Sequence, residues 1–360
     1  MAAAGAIAYP VRSPRWELTY AGQNITTRVT SMATEISYSD SVEHHSDELE
    51  VTFEDRDRRW QGPWFPVRGD IVNLLIGYET EESFLDCGDF QVDELELRGA
   101  PDSFHVKCIA AGITPSIRQP RSAQYESTTL LGVANTIEAR HQMTVVGLAQ
   151  NSNVQFARVT QRHESDLNFL HQLSTAHNYD FSIRGQSLVF YARTPLEQAA
   201  TVMTVRRGAL QQSEYQPRYA MPMPRGTQNY GLFAKSFEFK TRTQQIYKSA
   251  TVAYHDPVTK KLIAAQSGDS SAPTGDDLHI VARVENQQQA QLKADSALHE
   301  MNKDQVTGRL EMEGTVLLVA GLNIDVVGWH QFDGKYHIEK SRHRLERSSG
   351  YTTEIEVRKL

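Results

Sequence analysis

Read for the alternation of apolar and polar positions, the stretch 314–359 is the most legible in the chain. In its final run Tyr351, Thr353, Ile355 and Val357 fall on one side and Thr352, Glu354, Glu356 and Arg358 on the other, the period-two pattern of a strand with one packed face and one wet face. Tyr336 to Leu345 is a second extended run, divided from the last by a polar turn holding Ser348, Ser349 and Gly350. The turn at Asp333-Gly334 follows the same logic, since glycine tolerates the positive φ that strains other residues. Three strands and two turns are predicted here.

The same pattern predicts strands at Trp16 to Tyr20, Thr27 to Ser37, Ser46 to Glu54, Asp70 to Tyr78, Phe90 to Arg98 and Phe104 to Ala110. Between the third and fourth, Glu54 to Trp60 and then Gly62 to Pro66 are too rich in charge and proline to continue a ladder. Many short strands at this spacing suggest a barrel or sandwich. After Gly112 the period changes. Leu130, Val133, Ala134, Ile137 and Ala139 make a helical stripe behind Ser127-Thr128-Thr129, and Leu167, Leu170, Leu173 and Ala176 make another behind Glu164-Ser165-Asp166. A strand from Val154 to Gln161 separates them, and Phe181–Ile183 and Ser187–Ala192 flank Arg184-Gly185-Gln186 as a hairpin. Pro217 to Gly231, with three prolines and two glycines, reads as a linker. Strands resume at Lys235 to Thr241 and Tyr247 to Tyr254, His255 to Asp277 reads as a mobile loop, and a helix is predicted from Gln287 to Lys303, with Ala290, Ala294, Ala297, Leu298 and Met301 on one face. A fainter signal joins the two ends: Gly69 to Leu74 followed by Gly88 to Glu94 parallels Gly321 to Val327 followed by Phe332 to Glu339. A duplication would give the chain two similar β domains; hairpin grammar alone would also produce the echo.

At 360 residues the chain can hold two or three domains, and 39% hydrophobic with 22% charged residues is ordinary globular usage. A mean hydropathy of -0.48 and the lack of any apolar run near 18 residues argue against a membrane span. The first eight residues lack the basic start and the length of a signal peptide, so synthesis in the cytoplasm is expected. Cys87 and Cys108 could pair, but a reducing compartment favours buried thiols, and two are too few for a structural zinc site. The net charge of -7 is uneven: from Glu35 to Gly99 there are 18 acidic and 5 basic residues, a local net of -13 that leaves +6 elsewhere. That disfavours a generic DNA-binding surface, which needs cations against phosphate; a solvated acidic surface is the plain reading.

The chemistry-bearing motifs are missing: no phosphate-cradling loop, dinucleotide fingerprint, nucleophile elbow or HExxH helix occurs. His44-His45 and the trio His163, His171 and His177 are the densest histidine sets. His163 and His171 stand about two helical turns apart, and His171 and His177 point to different faces, so surface or capping roles are expected and no metal site. Asp55 and Asp57 are spaced like paired hydrolytic carboxylates, yet Arg56, Arg58 and Arg59 beside them favour a salt-bridged turn and would lower an acid's pKa. Trp60 and Trp64, next to Pro63 and Pro66, are read as a staple for that turn rather than a stacking platform. No catalytic, cofactor-binding or metal-ligating residue is assigned.

Three groups of residues, in order, carry a resemblance over about Val11 to Arg358: Asp47-Glu48-Leu49-Glu50, Glu54-Asp55-Arg56, Trp60, Trp64, Pro66 and Gly69-Asp70; Gln161-Arg162, Glu164-Ser165-Asp166-Leu167 and Phe169-Leu170; and Phe332 to Tyr336, Ser341-Arg342-His343 and Gly350 to Thr353. They resemble the phage late control protein D family, the baseplate hub of contractile tails, related to the hub part of type VI secretion spike proteins. The resemblance implies a mainly β fold with an α+β insertion, two tube-like β-barrel domains flanking a smaller α+β domain: 1–111, 112–216, a linker at 217–232, and 233–360 with one helix. It implies a homotrimeric ring in the virion tail baseplate, adapting a three-fold spike to a six-fold tube. The implied partners are the central spike protein, the tail tube or tube-initiator protein, the tape measure protein and baseplate wedge proteins, with DNA only in transit and no stable membrane insertion. No β-helical spike follows the hub part in this sequence, so the spike is expected as a separate partner. A tail-associated host-receptor adhesin and a peptidoglycan hydrolase are the alternatives; the first would bind intact cells alone, and the second would clear murein in a gel.

Overall fold

The alternation at the end of the chain is also its burial pattern: Tyr351, Thr353, Ile355 and Val357 are buried, and Glu354 and Glu356 between them are not. The computed structural model describes residues 12–42, 47–79, 83–111, 115–148, 155–208, 231–255, 260–270, 272, 275–282, 284 and 286–360. The linker expected at 217–232 lies outside these except for its last two residues.

The first 110 positions supply seven strands: β1 (Pro14–Tyr20), β2 (Gln23–Asn24), β3 (Ala33–Ser41), β4 (Glu48–Glu54), β5 (Ile71–Tyr78), β6 (Leu85–Arg98) and β7 (Ser103–Ala110). They form an antiparallel sheet in the order β3-β4-β7-β6-β5-β1-β2. Leu49, Val51 and Phe53 of β4 enter its core, with Leu74, Ile76, Phe90, Phe104 and Cys108 from the neighbouring strands. The strand expected over Thr27 to Ser37 is split. Thr26–Val29 is a helical turn, α1, and β3 begins after it. Extended, Thr27, Val29 and Ser31 would share one face and carry two hydroxyls inward; the turn buries Val29 by itself, and Thr26 Oγ1 accepts from Leu18 N–H at 2.8 Å.

The middle of the chain adds α2 (Pro115–Arg118), β8 (Pro120–Thr129), α3 (Leu130–His141), β9 (Thr144–Val146), β10 (Gln155–Ser165), α4 (Asp166–Thr175), β11 (Tyr179–Arg184), β12 (Ser187–Ala192) and α5 (Arg193–Gln198). Thr129 and Ser165 cap α3 and α4 through their hydroxyls, accepting from Gly132 N–H and Asn168 N–H. Leu130, Val133, Ala134 and Ile137 pack against Phe169, Leu170 and Leu173 as the stripes require; Ala139 is exposed, because two positions past Ile137 is about 200° around the helix and off the stripe. The hairpin β11–β12 forms where expected.

The remaining strands are β13 (Thr201–Arg207), β14 (Gly231–Thr241), β15 (Tyr247–His255), β16 (Leu262–Gly268), β17 (Asp276–Val281), β18 (Val306–Glu313), β19 (Asn323–Val327), β20 (Gly334–Glu346) and β21 (Gly350–Lys359), with α6 (Gln287–Asn302) between β17 and β18. Strands β13-β14-β18-β21-β20-β19 close on themselves into a six-stranded barrel, β13 running parallel to both its neighbours. So β13, expected in the α+β stretch 112–216, is a stave of this barrel; Met203 and Val205 alternate with Thr204 and fill its interior. Two further corrections concern α6 and the segment before it. His255 to Asp277 is not one loop, since β16 pairs with β15, and β17 follows on its other side. The helix α6 covers this small sheet with Ala290 and Ala294, while Met301 is exposed.

The internal echo has a structural counterpart. Counting six strands in chain order in each β unit, with the two-residue β2 set aside, both units have the lateral order first-fourth-fifth-sixth-third-second: β1-β5-β6-β7-β4-β3 and β13-β19-β20-β21-β18-β14. The backbone detail also repeats. Gly69 N–H donates to Val92 O and Val92 N–H to Asp70 O; Gly321 N–H donates to Ile338 O and Ile338 N–H to Leu322 O. Both glycines sit at φ near +90°, a region side chains avoid. A register shift follows each partner, between Val92 and Glu94 and between Ile338 and Lys340. The units differ at one seam. In the barrel the first strand bonds the second; in the other unit β3 bonds β20 instead of β1, and both units become one thirteen-stranded sheet.

Candidate functional site

The polar groups that the fold buries lie where its parts meet. The first set is inside the middle region. Asp166, at the start of α4, is fully buried, and its carboxylate receives Arg140 Nη1 at 2.9 and 2.8 Å, Gln161 Nε2 at 2.8 Å and lies 2.7 Å from His141 Nε2 and 3.3 Å from Arg121 Nε. Burial alone would raise this acid; the bonds from His141, Arg140 and Gln161 outweigh it and hold the carboxyl below its usual range. Gln161 and Asp166 belong to the Gln161–Leu170 segment singled out in the sequence, and what they do is bind β10 to α4 and the end of α3.

The second set is a three-way joint. Asp40 on β3 is 1% exposed; its Oδ1 accepts from Arg184 Nη2 at 2.9 Å, at the tip of the β11–β12 hairpin, and its Oδ2 from Ala320 N–H at 3.0 Å, ahead of β19. Asp47 lies beside it and accepts from Ser41 N–H at 3.4 Å. Burial raises both carboxyls, Asp47 to about 7 with the Asp40 charge adding to the effect, while Arg184 opposes the rise. The third set ties α5 to its surroundings: Arg193 reaches Asp180 at 2.5 Å and Glu300 on α6 at 2.7 Å, and Glu197 meets Arg358 on β21 at 2.7 Å and His299 on α6 at 3.1 Å. These joints hold the middle region and the α6 sheet onto the thirteen-stranded sheet. None was legible in sequence, since each pairs residues from distant elements.

The outer face of that sheet is a lattice of charge. Arg309 lies 3.0 Å from both Glu354 and Glu356, Arg344 2.7 Å from Glu35, Arg347 2.8 Å from Glu54, and Lys107 3.1 Å from Glu48. Beyond Lys107, β6 presents Asp86, Asp89, Asp93 and Glu94 as an exposed acidic edge. Of the acidic tract, however, Asp40, Asp47 and Asp55 are buried, so it is not wholly a solvated surface.

The other singled-out residues have structural partners. Asp55 is not ion-paired as the salt-bridged turn would have it: it is buried and accepts from Trp60 N–H at 3.1 Å and Gln61 Nε2 at 3.0 Å, while the exposed Asp57 meets Arg59 at 3.1 Å. Trp60 stacks on Phe53 with centroids 4.1 Å apart and meets Trp64 edge-on at 5.7 Å, the staple expected of them. Cys87 and Cys108 are buried free thiols. His163 is exposed at the β10 bulge, and His177, edge-on to Phe156, is pushed by burial down to about 4. His44-His45 lie outside the described residues. His343, one of the residues that carry the resemblance, is fully buried between Tyr351 Oη at 2.7 Å and Ser341 Oγ at 3.1 Å, and burial lowers it to about 4. Among the described residues no group of three or more His, Cys, Asp or Glu is placed to hold a metal ion, and no helix is long and apolar enough to cross a membrane.

No protein-family model matches the chain. Among curated proteins it is 26% identical over 178 residues to the "Probable baseplate hub protein" of Escherichia phage 186, and 25% identical over 179 residues to that of Escherichia phage P2; each alignment covers 49% of this chain and 45% of the relative. The chain thus matches about half the length of these curated relatives. Its fold is similar to that of a tail protein from Neisseria meningitidis MC58 (TM-score 0.70, 13% identity, 96% of this chain and 97% of the other) and of the 43 kDa tail protein of prophage MuSo2 from Shewanella oneidensis (TM-score 0.65, 14% identity, 96% and 98%). A component of the E. coli type VI secretion system matches at TM-score 0.52, with 14% identity over 91% of this chain and 73% of the other. The resemblance to contractile-tail hub proteins is borne out in these relatives, and the mainly β fold in these structures.

Proposed function

We propose that this chain is a baseplate hub subunit of a contractile phage tail or related injection machine, and that three copies form a ring joining the spike to the tail tube. The observation that carries the reading is the repeated β unit. Two units of one strand order per chain give six similar units in a ring of three, so one face can meet a six-fold tube while the whole keeps the three-fold symmetry of a spike. The hub relatives and the tail-protein fold agree with this role, which is mechanical and needs no catalytic group. The seam through β3 and β20 suits it, because hydrogen bonds across one sheet resist hinging between the units. In the same reading the chain comprises two β domains around an α+β domain, resides in the tail baseplate, and contacts spike, tube, tape measure and wedge proteins.

Light scattering on the purified 40.6 kDa chain, alone and with its spike protein, tests the ring. The expected result is a three-fold chain mass in one of the two conditions, with the spike bound; a monomer that ignores the spike would overturn it. If the acidic edge of β6 faces the lumen, it repels phosphate and lets DNA pass without sticking. Changing Asp89, Asp93 and Glu94 together to Lys is then expected to slow genome ejection with assembly intact. Ejection at the normal rate would remove the idea.

A further inference from the structure

The first β unit encloses unfilled space. In the closed barrel the core is packed with Met203, Val205, Leu310, Met312, Ile324 and Ile338, and Phe239 adds a contact with Trp329, Phe332 and Tyr336, ring centroids 5.5, 5.2 and 5.8 Å apart. In the first unit β3 is engaged by β20, and only β2 pairs with the outer side of β1, at Thr19 and Tyr20. Behind α1 and the 60–66 turn lies a cavity of about 340 Å³. Its wall includes Leu18, Val29, Val51, Trp60, Val72 and Val106, all buried and, apart from the unpartnered indole N–H of Trp60, apolar. For comparison, an engineered apolar cavity of about 150 Å³ stays dry and takes up benzene.

The rim is chemically different from the wall. Gln23 and Arg28 are exposed, and Arg28 is the only charged side chain lining the space. An apolar interior below a single guanidinium fits a molecule with one hydrocarbon chain and an anionic head: the chain gains by leaving water, and the head meets a cation that stays solvated. We infer that this cavity of the first β unit is a binding site for a single-chain anionic amphiphile of the fatty-acid class, the chain inside and the carboxylate at Arg28. The chain enters between α1 and the turn carrying Trp64 and Pro66, both of which line the cavity. The site is independent of the hub reading, which neither requires nor supplies such a ligand.

Trp60 and Trp64 line the cavity, so occupancy can be read from their fluorescence. The full-length chain is titrated with brominated dodecanoate below its micelle concentration, the bromine acting as a contact quencher. Saturable quenching is expected, competed by plain dodecanoate. Arg28→Glu, a change at an exposed rim position that leaves the core untouched, is expected to weaken dodecanoate roughly ten-fold or more while leaving dodecanol unchanged. Val106→Phe, which fills the space, is expected to abolish quenching; should that variant not fold, the Arg28→Glu comparison decides. Non-saturating quenching, quenching that survives the filled cavity, or equal dodecanoate affinity with and without Arg28 would each overturn the inference. So would binding seen only with phosphatidylglycerol vesicles, which would point to a membrane surface instead of a free chain.

Discussion

Replacing Asp166 with Asn is expected to destabilise the middle region by about 3–5 kcal/mol, the loss found when one member of a buried ion cluster is removed. The carboxylate is fully buried, accepts from Arg140 and Gln161, and has Arg121 and His141 against it. Asn keeps the shape but offers one acceptor oxygen and brings two donors of its own, facing groups that are themselves donors. Arg140 would then be a partly buried cation without its counter-charge. The loss should be confined in space, because the cluster lies within the core formed by α3, α4 and β8–β12, away from the thirteen-stranded sheet. Urea unfolding followed by circular dichroism, with hydrogen exchange to locate the opening, measures both claims. A change under about 1 kcal/mol, in the range of an ordinary surface substitution, would show that the cluster is not a keystone of this region.

What sequence reading could and could not reach follows from the range of the interactions. Strands of the first unit were legible because Leu49, Val51 and Phe53 alternate with charged neighbours within one short window. The helices α3, α4 and α6 were legible from stripe and cap together, both local signals. Gln161 and Asp166 stood out through a resemblance, yet their partner Arg140 is 26 positions from Asp166, and no periodicity connects them. Strand β13 was hidden because its partners β14 and β19 come later in the chain, the second of them more than a hundred positions on, and a seven-residue run of threonine, valine, methionine and arginine does not declare which sheet it joins. Asp40 misled most. In sequence it is one more acid in an acidic tract; only the fold shows that β3 turns it inward to a cation from another element. The echo between Gly69 and Gly321 was a faint pattern of seven or so residues, and became a repeat once equal hydrogen bonds and equal register shifts stood beside it.

Arg184→Met is expected to cost about 1–3 kcal/mol at pH 8, less than a fully buried pair because the arginine side chain is 39% exposed, and distinctly less at pH 5, since the substitution strands a buried carboxylate that can escape only by taking a proton. In the native chain Arg184 is the cation that meets Asp40, and burial already raises both Asp40 and Asp47, the latter to about 7. The sign follows from proton binding. Between the unfolded carboxyl value near 3.8 and the raised folded value, the native state holds a proton that the unfolded state has released, so stability is greatest below that interval and declines as pH rises through it. Without Arg184 the folded values climb further and the decline becomes larger, so the gap between variant and native protein widens from pH 5 to pH 8. Urea midpoints at the two pH values measure it. A further change separates charge from packing: Asp40→Asn in the Arg184→Met background keeps an oxygen for Ala320 N–H and removes the stranded charge, and is expected to recover much of the loss and flatten its pH dependence. If the double variant stays as unstable as Arg184→Met at pH 8, the joint depends on the packing of the arginine stem, and the charge on Asp40 is not what fastens the hairpin tip to the sheet.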